Sequence, residues 1–175
     1  MKTRFRCLAI VPVLLCPSAS AQWIQTNGPY GGDVLCFAAS GPYVFAGTSR
    51  GGVFLSSNGG TSWTSAGAGL THYSVNALAA SGEYLFAGTG GGGVFRSTNG
   101  GTSWTAVSSG LTCRDVRYLA VSGTNLFAGT WGDGILRSTD NGTSWTVADS
   151  AGECISSLAI SGTNIFAGEP GVGGG

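Results

Sequence analysis

Short apolar-rich runs alternate with glycine-containing turns along most of the chain, at intervals of about eight to twelve residues, the pattern of successive short β-strands. No stretch has the length and 3.6-residue period of an amphipathic helix. The runs are themselves repeated. Phe45-Ala46-Gly47-Thr48 recurs as Phe86-Ala87-Gly88-Thr89, Phe127-Ala128-Gly129-Thr130 and Phe166-Ala167-Gly168-Glu169, so the phenylalanines are spaced by 41, 41 and 39 residues. Trp63, Trp104 and Trp145 repeat at 41 and 41, and Leu78-Ala79, Leu119-Ala120 and Leu158-Ala159 mark the same register earlier in each unit.

One unit reads as four strands: A over 75–80, B over 84–87, C over 93–97 and D over 103–107. The small Ala77, Ala79 and Ala80 suit an innermost strand, since blades converging on an axis leave little room there. The aromatic and branched residues of the outer strands can fill the wider gaps between blades. A period near 41 with four strands per unit predicts an all-β fold, a β-propeller of four-stranded blades. Residues 23–25 match the D strand at 104–106, and residues 155–168 supply strands A and B of a last unit, so about 3.75 blades are present. Either the N-terminal D strand pairs with the last blade in a strained four-blade ring or the chain is part of a longer propeller, and the second reading is favoured because a repeat array that stops inside a unit lacks a cap. Unpaired strands at its two ends would be templates for self-association.

The turn between strands C and D carries the most specific signal. Ser56, Asn58, Gly60 and Trp63 recur as Ser97, Asn99, Gly101 and Trp104, and again as Ser138, Asp140, Gly142 and Trp145. These segments resemble the Asp-box, or bacterial neuraminidase repeat, S-x-D-x-G-x-[ST]-W, with Asn for Asp in two copies. An Asx side chain accepts backbone N–H bonds within its own turn, glycine supplies a positive φ, and the Trp anchors the next strand by burying its ring. The motif is therefore read as structural. The resemblance covers nearly all of residues 23–175 and implies a propeller of the kind seen in sialidases, xyloglucan-cleaving glycosidases, sortilin-type receptors and photosystem II assembly factors. It is strongest toward glycine-rich repeats of secreted bacterial proteins, and it specifies fold far better than activity.

Charge and targeting signals narrow the function. Only 9% of residues are charged, and the lone Lys2 leaves no basic patch to neutralise nucleic-acid phosphates, so nucleic acid is not an expected partner. Lys2, Arg4 and Arg6 precede an apolar run over 7–16 and the small-x-small site Ala19-Ser20-Ala21, the three parts of a secretory signal over 1–21, with cleavage expected after Ala21. The run is too short to span a membrane. The remaining chain, 22–175, has five arginines against eight acidic residues and is expected to be exported, to the periplasm or beyond. Cys36, Cys113 and Cys154 are an odd set without C-x-x-C spacing, and neither a metal site, a cofactor motif nor a disulfide framework is expected.

Strand parity places the D-to-A and B-to-C connections on one face and the Asp-box turns on the other. The first face collects the chemistry that departs from the repeat: Arg50, His72, Tyr73, Arg114, Asp115, Trp131, Asp133 and Glu169. Residues on loops over a rigid scaffold often bind ligands, which makes this face the candidate site. A sialidase-like arginine triad is missing, because Arg96 and Arg137 share a position that is Leu55 in the first unit, and both arginines are expected to be exposed. Asp115 and Asp133 are the available pair for the two-carboxylate chemistry of glycosidases. The sequence thus favours a secreted, non-catalytic module that binds protein or glycan. The alternatives are a remnant of a sialidase-like or other carbohydrate-active hydrolase, and an exported assembly factor.

Overall fold

A computed structural model describes residues 26–150, 154–162 and 164–169. The expected signal segment and the D strand expected at 23–25 lie outside the described residues. Each unit forms the antiparallel sheet that its pattern predicts. The first blade is β1 (Val34–Ser40), β2 (Tyr43–Thr48), β3 (Val53–Ser56) and β4 (Thr64–Ser65). The second is β5 (Val75–Ser81), β6 (Tyr84–Thr89), β7 (Gly93–Ser97) and β8 (Thr105–Ala106), and the third is β9 (Val116–Ser122), β10 (Asn125–Thr130), β11 (Ile135–Ser138) and β12 (Thr146–Asp149). A two-stranded sheet, β13 (Ser157–Ser161) with β14 (Asn164–Gly168), begins the fourth unit. In the three complete blades the strands pair in sequence order, and β1, β5, β9 and β13 lie next to one another, as the small-residue reading of strand A requires. The fold is a β-propeller, and no helix occurs among the described residues.

Strand D is shorter than its pattern suggests, two residues in the second blade against the five expected. Its start is diverted to the neighbouring blade: the Trp104 N–H donates to the Ala68 carbonyl at 2.9 Å, and Trp145 repeats this bond to Ser109. An N–H spent on the preceding blade cannot serve the ladder with strand C.

The core lies between blades and not within them. Phe45 and Val53 of the first blade meet Leu85, Ala87, Phe95 and Trp104 of the second, and Phe86 and Val94 meet Leu126, Ala128, Leu136 and Trp145 in the next gap. Phe127, Ile135 and Ile155 continue the series. Trp104 and Trp145 also donate their indole N–H groups into the preceding blade, to Ala66 at 2.7 Å and to Val107 at 2.8 Å respectively. Trp63 departs from the expected equivalence. It is only half-buried, and its indole nitrogen has no partner among the described residues. The repeat puts Gln25, outside the described residues, where Ala66 and Val107 supply the acceptor.

Candidate functional site

The three Ser-x-Asx turns share one hydrogen-bond network. In the second blade the buried Ser97 hydroxyl donates to Asn99 Oδ1 at 2.9 Å and accepts the N–H of Gly101 at 2.9 Å. Asn99 Oδ1 also accepts the Ser103 N–H, while its Nδ2 donates to the Ser103 hydroxyl. Ser56, Asn58, Gly60 and Ser62 repeat these bonds in the first blade. In the third, Asp140 has no amide to donate, and the Ser144 hydroxyl turns round to donate to its carboxylate at 2.6 Å. The side chains of the first Ser, the Asx and the following Ser are all directed at their own turn. Asn141, at φ 56°, takes the backbone state that Gly59 and Gly100 occupy in the other copies.

The carboxylate makes one turn sensitive to acid. The Ser144 hydroxyl first, then the Ser144 N–H and the Ser138 hydroxyl, hold the exposed Asp140 down at about 2. The ordinary value in an unfolded chain is about 3.9. The stabilisation is therefore complete above about pH 4 and is lost as pH falls through about 2. Asp140→Asn recreates the amide turn of the other two blades. It is expected to leave the urea midpoint at pH 7 nearly unchanged and to reduce the drop between pH 4 and pH 2. An equally steep drop in the variant would remove Asp140 from that role.

On the loop face the D-to-A and B-to-C connections are hydrogen-bonded to one another, as strand parity requires. Gly52 donates to the Tyr73 carbonyl, Gly90 to Ser74, and Gly91 and Gly93 both to Arg114. Trp131 donates to Asp115, and Ile155 to Thr130. A buried threonine braces each B-to-C turn: Thr48, Thr89 and Thr130 donate to the carbonyls of Gly52, Gly93 and Gly134 at 3.0, 2.9 and 3.1 Å. These bonds explain the Thr that closes the first three Phe-Ala-Gly-Thr copies, a role that sequence reading missed.

The predicted site residues share this face but do not converge on one point. Asp133 is absorbed by the loop: it accepts the Thr112 and Cys113 N–H groups and, at 2.6 Å, the Thr112 hydroxyl. Partial burial alone would raise its carboxyl, but the bonds from Cys113 and Thr112 outweigh that and hold it below the usual range. Asp115 pairs with Arg117 at 2.6 Å and accepts from Asn76 across the blade gap at 3.4 Å. Arg117, which the sequence did not single out, also lies 5.1 Å from the Trp131 ring centroid and so joins Asp115 to Trp131. Tyr73 and Trp131 stay exposed at 55% and 50%. His72 is exposed beside Gly91 and Gly92 and bonds Thr71 through Nδ1, while the side chains of Arg50, Arg114 and Glu169 are also exposed. Cys113 and Cys154 flank the Trp131-Gly132 turn as free thiols. Cys36 is packed against Gly47 and Val75, and burial pushes its thiol up to about 12 against the pull of a bond from the Gly47 N–H.

Arg96 corrects the expectation that both strand-C arginines are exposed. Arg137 is exposed, donating to Asn125 at 3.0 Å, but Arg96 is half-buried. It lies 5.5 Å from the Tyr84 ring centroid and crosses to the third blade's turn, where it donates to the Asn141 carbonyl at 2.9 Å and to the Thr143 hydroxyl at 3.4 Å.

The family model of the DUF6242 beta propeller domain matches residues 17–167, which span all the described blades. The chain belongs to this family. No curated protein matches its sequence. Among solved structures, the computationally designed Ika4 protein superposes with a TM-score of 0.67 at 16% identity, over 83% of this chain and 89% of that one. An ancestral GH74 enzyme gives 0.65 at 22% identity, over 86% of this chain and 23% of its own. YCF48 bound to D1 peptide gives 0.61 at 19% identity, over 85% and 53% respectively. The DUF6242 propeller chain thus spans about a quarter of that GH74 enzyme and about half of YCF48. At these identities the likeness is one of fold.

Proposed function

We propose that this DUF6242 propeller is an exported, non-catalytic module that binds another protein through its loop face. The observation that carries the reading is the division of labour on that face. Two of its carboxylates hold structure, Asp133 clamping the loop at Thr112 and Cys113 and Asp115 tethering Arg117, while the aromatic rings of Tyr73 and Trp131 remain exposed. Exposed rings on a hydrogen-bonded frame supply contact area at little entropic cost and are typical anchors in protein recognition. YCF48, a propeller of the same fold, is described with a bound peptide, which favours a polypeptide over a glycan. The GH74 likeness supports the hydrolase alternative, but Asp133, held ionised by three donors, is poorly suited to serve as a general acid. On this reading the three Ser-x-Asx turns are Asp-boxes that stiffen the opposite face.

A photo-crosslinking residue placed at Tyr73 or Trp131 tests this in the secreting host. Discrete protein adducts from these positions, and none from Asn58 on the turn face, are the expected result. Adducts only from Asn58, or glycan-array binding without protein adducts, would overturn it.

A further inference from the structure

The Arg96 guanidinium rests on three groups of the repeat: the Tyr84 ring, the Asn141 carbonyl and the Thr143 hydroxyl. Forty-one residues earlier the same three positions are Tyr43, Gly100 and Thr102, so the repeat supplies the same kinds of receiving group for the gap between the first and second blades, two of which, Gly100 and Thr102, line the groove there. The arginine is not, because its position is Leu55. A cavity of about 480 Å³ opens there, lined by Leu55, Thr64, Ala66, Tyr73, Gly100 and Thr102. The Tyr43 ring is 45% exposed, and no described residue donates to the Gly100 carbonyl.

We propose that this groove receives an arginine side chain of a partner polypeptide, which completes between the first two blades the contact that Arg96 makes between the second and third. The chemistry is selective for guanidinium. A planar fork can stack on a ring while its N–H groups reach a carbonyl and a hydroxyl, whereas a lysine ammonium is a compact point charge with a larger hydration cost. No carboxylate is needed in the seat, because Arg96 itself is held by two neutral oxygens and a ring face. Leu55 and Ala66 provide an apolar wall for the methylene stem of the incoming side chain. Tyr73 reaches the same groove, so the seat adjoins the loop face and rests on the protein-binding function proposed for it.

The test uses the blocked peptide Ac-Gly-Arg-Ser-Gly-NH2 and its lysine counterpart, titrated into the whole protein with amide and aromatic NMR shifts as the readout. The arginine peptide is expected to shift Tyr43, Gly100, Gly101 and Thr102 and to bind roughly tenfold more tightly than the lysine peptide. Leu55→Arg supplies the missing side chain from within and should abolish these shifts. Arg96→Leu opens the second gap and should add a second set at Tyr84, Asn141 and Thr143. Shifts confined to Trp131, equal binding of both peptides, or binding unchanged by Leu55→Arg would overturn the arginine seat. If Leu55→Arg does not fold, the absence of the second set in Arg96→Leu overturns it alone. None of these results depends on crosslinking at Tyr73 or Trp131, so loss of the seat leaves the loop-face reading standing.

Discussion

Trp104→Ala and Trp145→Ala are each expected to lower stability by about 3–5 kcal/mol, the cost of emptying a large aromatic site in a packed core. Both rings are 4% exposed and sit at the centre of a gap between blades, where they contact residues from two sheets. Their indole N–H groups also satisfy buried carbonyls of the preceding blade, Ala66 and Val107, and truncation leaves those acceptors without a donor. Trp63→Ala should cost less than half as much. That ring is half-buried and its nitrogen has no acceptor among the described residues. Urea denaturation of the three variants checks the order, and equal losses at all three positions would contradict the difference between the gaps. A matched Phe variant separates the two contributions, since it keeps most of the packing and deletes only the donor.

Gly110→Ala is expected to be among the most damaging single-methyl additions in the chain. Gly110 has φ +95°, which side-chain-bearing residues rarely adopt, and a β-carbon there would collide with the backbone carbonyl of Trp145. Backbone strain alone costs about 1–3 kcal/mol. The collision adds to it, because the Trp145 N–H is tied to Ser109 on the same loop and the strand cannot retreat without breaking that bond. Gly69 stands in the same relation to Trp104. The contrasting substitution is Gly123→Ala, at φ +57° with open space around the added carbon, which carries only the cost of the turn. Calorimetry should show Gly110→Ala melting well below Gly123→Ala. Equal melting temperatures would mean that the loop and the tryptophan strand separate freely.

The strands were legible because a blade repeats both its period-2 burial and its turn chemistry at nearly constant spacing. Strand C of the second blade, Gly93–Ser97, has the bounds that its sequence pattern indicates. Where the reading failed, the missing information was the neighbouring blade. Nothing local to residues 103–107 tells that the Trp104 N–H leaves its own sheet for Ala68. Arg96 reads as a solvated strand residue until the third blade brings Asn141 and Thr143 beneath its guanidinium. Asp133 reads as a free loop carboxylate until Thr112 and Cys113, twenty residues away, turn their N–H groups toward it.

The sequence by itself determined the all-β repeat, the blade register and the Ser-x-Asx turns, all of which depend on residues within a few positions of one another. Backbone sterics and short-range hydrogen bonds decide such features whatever the rest of the chain does. Only the tertiary structure decided which polar side chains remain available for binding. Tyr73 and Trp131 stay exposed, Asp133 and Asp115 are committed to the frame, and Leu55 leaves a seat that Arg96 fills one blade later. Asp133 finds Thr112 and Cys113 about twenty residues away, and Asp115 and Arg96 meet Asn76 and Asn141 across blade gaps about forty residues apart, where a side chain's partner is set by packing geometry and not by its own neighbourhood.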